Sequence, residues 1–127
     1  MLSRAAAIAL VLTAPAVAAM DGSRAQPVTV VAREYQFAPD KLSFKRGLAY
    51  RLHIENHGKE LHEFTAPDFF KSIELGDPAA LNPDRSEILI PAGEAKDLTF
   101  VALQAGHYRL ICADHDWAGL TGEITVE

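Results

Sequence analysis

Eight short segments of this chain alternate apolar and polar residues with period two, and turn-forming residues separate them. Such alternation puts one row of side chains on a buried face and the other on a solvated one, which strands do and helices do not. Val28, Val30 and Ala32 share a face of the first segment, and Leu42 and Phe44 share a face of the second. Tyr50, Leu52 and Ile54 alternate with Arg51, His53 and Glu55 in the third, which Asn56-His57-Gly58 ends as a turn. Residues 61–65, 86–90, a run around Leu98 and Phe100, 106–112 and 122–126 complete the set, with Pro91-Ala92-Gly93 as a further turn. Seven or eight short strands predict an all-β fold, an antiparallel β-sandwich. Residues 66–85 break the rhythm with Pro67, Pro78 and Pro83. They read as a loop insertion with one short helix, beginning near Asp68 as a candidate N-cap.

The first nineteen residues have a different character. Arg4 is a short basic start, an apolar run follows to Leu12, and Ala16-Val17-Ala18 or Val17-Ala18-Ala19 offers a small-residue cleavage site. That is the pattern of a secretory signal, and its apolar run is too short to span a bilayer. Residues 1–19 are therefore expected to be removed, leaving one domain at 20–127, exported to the periplasm, with no membrane anchor after cleavage. The signal carries Arg4 and no acid, so the net charge of −5 becomes −6. An acidic domain is a poor nucleic-acid binder, and a soluble partner with a basic face suits it better.

Cys112 is the only cysteine. In an oxidising compartment a lone thiol has nothing to pair with inside the chain. By itself it reads equally well as a buried apolar residue. His115 follows three residues later, and His62 lies far upstream in another apolar segment. Strand phase puts Cys112 on the face of Tyr108 and Leu110, and His62 on the face of Phe64. If those faces look inward, a thiolate and two imidazoles meet at one end of the sandwich. This donor set suits a mononuclear copper site of the electron-transfer kind, usually completed by a long axial methionine. Zinc takes the same donors, but the divalent affinity order favours copper.

The chain resembles the cupredoxin family, the small blue copper proteins such as plastocyanin and pseudoazurin, over nearly all of the expected mature length. Glu34-Tyr35-Gln36-Phe37-Ala38-Pro39, Leu42-Ser43-Phe44 and Gly47 look like the family's opening strands. Asn56 to Phe64 resembles the segment that ends at the first histidine ligand; Pro91-Ala92-Gly93, Leu98-Thr99-Phe100, Gly106 to Cys112 and His115 resemble the second half. The resemblance implies a Greek-key sandwich with His62, Cys112 and His115 as equatorial ligands of one copper ion. It also implies a monomeric carrier exchanging electrons with redox protein partners.

Two positions depart from the family. Leu120 stands where the axial methionine is common, which leaves the cupric ion less satisfied and predicts a raised potential. Glu63 stands where plastocyanin-like members carry an asparagine that ties the ligand loops together. It reads either as a substitute for that role or as a fourth, oxygen ligand, and alternation favours the former by pointing Glu63 away from the face of His62.

His53, His57 and His107 read as surface residues. Trp117 is either cover for the ligand loop or, with Ala118 and Leu120, an apolar patch around His115 where a partner docks. Asp114 and Asp116 would put negative charge there and influence association rates. The rival function is copper handling: a chaperone, sequestration or resistance protein of the same fold. The expected mature chain has Met20 but no methionine-rich arm, which disfavours it. A cysteine hydrolase is a third reading, disfavoured because a catalytic thiol is normally offered at a helix N-terminus or cleft.

Overall fold

The computed structural model describes residues 24–127, together with Ala7 and Ala9. The expected signal and its cleavage site otherwise fall outside the described residues. Ten strands form two five-stranded sheets. In chain order they are β1 (Gln26–Arg33), β2 (Gln36–Ala38), β3 (Lys41–Phe44), β4 (Ala49–Asn56), β5 (His62–Thr65), β6 (Ile73–Leu75), β7 (Glu87–Ile90), β8 (Ala95–Ala102), β9 (Gly106–Ile111) and β10 (Thr121–Val126). One sheet runs β2-β1-β4-β8-β6 and the other β3-β10-β9-β5-β7. Among the described residues one α-helix, α1 (Pro67–Lys71), follows β5.

The sandwich is as the alternation predicts, with two corrections to its detail. The strands missing from the expected seven or eight are β2 and β6, three residues each, too short for a period to show. Not every pairing is antiparallel: β1 runs parallel to β4, and β3 runs parallel to β10. Successive strands here often cross to the opposite sheet, and alternation within a strand carries no information about its neighbour's direction.

The core fills the space between the sheets. Val30, Ala32, Leu52, Ile54, Phe64, Ile88, Ile90, Phe100, Leu110 and Ile124 are all fully buried. Helix α1 adds Phe69 and Phe70, so both aromatics pack in the core. Phe69 stacks on Phe44 and meets Phe100 and Tyr108 edge-on, with ring centroids 5.4–5.8 Å apart. The N-cap falls two residues earlier than the expected Asp68. Pro67 takes the first helical position, where its missing N–H costs nothing, and Ala66 is an N-cap without a side-chain bond. Asp68 then lies in the first turn, where a carboxylate complements the helix dipole.

Candidate metal centre

Cys112 lies one residue beyond the end of β9, and Leu120 lies one residue before β10. The main chain ties the connection between them tightly. Cys112 N–H donates to Leu120 O at 2.9 Å, His115 N–H to Cys112 O at 3.0 Å, and Leu120 N–H to His115 O at 3.3 Å. A 3-10 turn at Asp116–Ala118 leads to Gly119, whose φ of 91° is left-handed backbone that glycine adopts without a Cβ clash. This geometry folds His115 back over the end of β9.

His62 opens β5, which lies between β7 and β9. A side chain classed only as part of a turn in the sequence places it. Asn56 is buried at the end of β4, and its amide donates to Glu60 O at 2.7 Å and Ile90 O at 2.8 Å, while Oδ1 accepts Gly58 N–H at 2.8 Å. Both amide N–H groups and the oxygen are thus engaged, two of the bonds within the turn that delivers His62 and one anchoring it to the end of β7.

These loops bring His62, Cys112 and His115 together, with one candidate ligand atom from each all within 4.8 Å of one another. His115 Nδ1 is 3.4 Å from Cys112 Sγ, and the two imidazoles sit edge-to-face with centroids 5.4 Å apart. Glu63 N–H donates to Cys112 Sγ at 3.3 Å. Burial pushes the Cys112 thiol up from its usual range, while the backbone N–H groups of Glu63, Asp114 and His115 pull it down. His62 is fully buried, and neither ring nitrogen has a hydrogen-bonded partner. An unsatisfied buried imidazole beside a thiol costs about 1–3 kcal/mol per polar group, and a metal ion bound at one nitrogen removes that nitrogen's share. The donor set, one sulfur and two nitrogens, fits copper.

Glu63 lies outside the cluster. It is only 8% exposed, and burial, followed by the charges of Glu87 and Asp114, holds its carboxyl above the usual range. Its Oε2 has no partner among the described residues. The alternation places it on the face of Thr65, away from His62, as expected. What the alternation does not show is that this outer face is also covered.

Three further residues frame the centre. Glu34, between β1 and β2, accepts N–H bonds from Lys59 at 2.7 Å and Glu60 at 2.8 Å through Oε1. The same oxygen lies 3.2 Å from His62 Nε2, at ion-pair distance but off the line of a hydrogen bond. The N–H of Glu60, ahead of that of Lys59, holds the Glu34 carboxyl below its usual range. Glu60 Oε2 is 2.9 Å from His115 Nε2. Tyr35 lies over His115, centroids 5.1 Å apart, and near Trp117 at 6.1 Å. The His115 side chain is left 15% exposed. Trp117 is 78% exposed and donates to Asp114 O at 2.9 Å, so it stands out from the loop rather than covering it. Leu120 is fully buried and belongs to the core, not to a surface patch. Glu34 and Tyr35 fall within a segment whose resemblance the sequence shows, but nothing in the sequence links them to residues so far along the chain.

His107 is exposed, as its phase predicts. His53 is half-buried between Asp97, at 2.8 Å, and Glu55, at 3.1 Å; Glu55 also meets His57 at 2.8 Å. These groups are charge pairs on the outer face of the first sheet, away from the candidate ligands.

The family model described as a cupredoxin-like domain matches residues 4–126. The chain therefore belongs to the cupredoxin-like family. No curated protein sequence matches it. Among solved structures, auracyanin B is similar with a TM-score of 0.60 and 23% identity, over 82% of this chain and 90% of that one. Dithionite-reduced auracyanin from the photosynthetic bacterium Roseiflexus castenholzii gives 0.60 and 13%, over 81% and 98%. The metal-binding domain of the Cu(I)-exporting P-type ATPase CopA from Streptococcus pneumoniae D39, solved with Cu(I), gives 0.53 and 14%, over 82% and 87%. At these identities the likeness is one of fold.

Proposed function

We propose that the protein is a periplasmic electron carrier that holds one copper ion through His62, Cys112 and His115. The observation that carries this reading is the convergence of those three side chains, with a buried imidazole whose nitrogens lack hydrogen bonds. Copper bound there supplies the Cu(I)/Cu(II) couple. The chain's own contribution is rigidity. Both ligand loops are pinned by main-chain bonds and by Asn56, so the donors need little rearrangement between oxidation states. Leu120 has no lone pair to offer; standing where a methionine donor would otherwise be expected, it would leave Cu(II) less satisfied and raise the potential. Glu63 supports the site from outside. Nothing in this function requires a substrate pocket, and the protein is not an enzyme in this reading. Export rests on the leader, and a soluble redox partner with a basic face rests on the acidic charge. No described helix is long and apolar enough to cross a membrane.

Titration of the metal-free protein with Cu(II), followed by optical and paramagnetic-resonance spectra beside a Cys112→Ser control, tests the reading. An intense visible thiolate-to-copper band at one equivalent, lost in the control, is expected. Its absence from the unmutated protein sinks the proposal.

Copper handling is the second reading, and the partial enclosure of His115 by Glu60 and Tyr35 favours it. Electron exchange of the loaded protein with a small inorganic oxidant separates the two. Rapid exchange marks a carrier, and retention of Cu(I) with slow exchange marks a handling protein.

A further inference from the structure

Each imidazole of the centre has a carboxylate oxygen at charge-pair distance from Nε2. Both are close enough to favour a proton there by their charge, although the Glu34 contact is off the line of a hydrogen bond. Glu34 Oε1 stands 3.2 Å from His62 Nε2, and Glu60 Oε2 stands 2.9 Å from His115 Nε2. On His115 the opposite nitrogen, Nδ1, faces the thiol at 3.4 Å. On His62, with Nε2 against Glu34, Nδ1 is the nitrogen left for the cluster. Neither carboxylate belongs to the group of converging ligand atoms, so neither is placed as a ligand itself.

The two carboxylates are joined through one turn. Glu34 accepts the N–H groups of Lys59 and Glu60, and the Glu60 side chain then reaches across to His115. Asn56 holds the Glu60 carbonyl from the other side. A Cβ on Gly58 would run into the Glu34 carboxylate, so the close approach of this acid depends on a glycine in the turn. This arrangement links the two ligand loops on the Nε2 side of the rings, in addition to the Glu63 N–H bond to Cys112 Sγ.

We propose that Glu34 and Glu60 are positioning residues that hold both ligand histidines as Nε2–H tautomers, present Nδ1 to copper, and place negative charge behind each ring. The proposal rests on the copper reading above. A carboxylate behind a metal-bound imidazole fixes its orientation and raises its basicity. The more highly charged Cu(II) gains more from that charge than Cu(I), and the effect is greater where solvent screening is incomplete. The pair therefore opposes the rise in potential that Leu120 brings. A brace alone would act differently: in Glu34→Gln the amide oxygen still accepts the two N–H bonds, and only the charge is gone.

Two measurements test the proposal. In the metal-free protein, at a pH where both rings are neutral, nitrogen-15 correlation spectra of the imidazoles should show Nε2–H tautomers at His62 and His115. An Nδ1–H tautomer at either overturns the positioning. In the copper-loaded protein, Glu34→Gln and Glu60→Gln should each weaken Cu(II) binding more than Cu(I) binding. A tenfold difference corresponds to a potential about 59 mV higher for a one-electron couple, and the double variant should rise further. Potentials unchanged in both variants, with the copper–thiolate band intact, overturn the charge effect. If Glu34→Gln fails to fold, Glu60→Gln carries the test, because Glu60 is half exposed and its side chain braces no backbone. If the unmutated protein gives no copper–thiolate band, the copper reading fails with its charge effect, and the tautomers alone decide the positioning.

Discussion

Leu120→Met separates the axial reading from the rest of the site. Leu120 is fully buried, and its main chain is bonded to Cys112 at 2.9 Å and to His115 at 3.3 Å, so its backbone is held close to two of the proposed ligands. Leucine and methionine have similar volumes, and such exchanges in a core usually cost less than about 1.5 kcal/mol. The loops should therefore survive, and the change isolates the gain of a soft donor. A weak axial bond that favours Cu(II) over Cu(I) ten- to a hundredfold lowers the potential by about 60–120 mV. Leu120→Ile is the control, since it changes shape and adds no donor; its potential should stay near that of the unmutated protein. Redox titrations monitored at the copper–thiolate band, beside denaturant unfolding of the metal-free forms, read both quantities. A potential that stays put or rises in the methionine variant, with the band retained, refutes Leu120 as the axial residue.

Other perturbations test the scaffold. Asn56→Ala leaves the carbonyls of Glu60 and Ile90 without their donor, and unfolding should show a loss of about 2–3 kcal/mol together with weaker copper binding. Phe69→Ala opens the core where four aromatic rings meet, and should cost about 3–5 kcal/mol in denaturant unfolding, a large part of a domain's usual stability. Asp97, ahead of Glu55, raises the His53 pKa above its ordinary 6.5. The stability from that pair is thus fully present below the unfolded value and lost as pH rises through the folded one. Asp97→Asn should lower stability by less than about 1 kcal/mol at pH near 6 and by much less at pH near 9.

Much of this architecture is legible in the sequence because it depends on local periods. Tyr108, Leu110 and Cys112 alternate with His107, Arg109 and Ile111, and that phase is enough to put the thiol inward at the end of β9. The same reasoning puts His62 beside Phe64. It fails at Glu63, because a period of two separates faces and does not say whether the second face is covered. Here Glu63 is covered, with Glu87 and Asp114 near enough for their charges to raise its carboxyl. It also misses Glu34, Glu60 and Asn56. Asn56 reads as the first residue of a turn, and its burial follows from the approach of Ile90, from a distant strand. Glu34 meets Lys59 and Glu60 only because β2 turns back along β1 at the end of the sandwich where the ligand loops emerge.

In the proposed copper site these features act in opposite directions. Leu120 would withhold a donor that stabilises Cu(II), whereas Glu34 and Glu60 would supply charge that stabilises it. A potential measured on the unmutated protein alone cannot distinguish a site with neither effect from one in which the two cancel. The four-way comparison can: unmutated protein, Leu120→Met, the Glu34→Gln/Glu60→Gln double variant, and the combination. Independent effects predict that the combined variant lies at the sum of the two shifts, because the carboxylates act through the Nε2 side of the rings and residue 120 acts directly on the metal. Departure from additivity means that moving one element changes the geometry seen by the other. The shared link is then the 112–120 loop, whose main chain ties Leu120 to His115 and whose His115 meets Glu60.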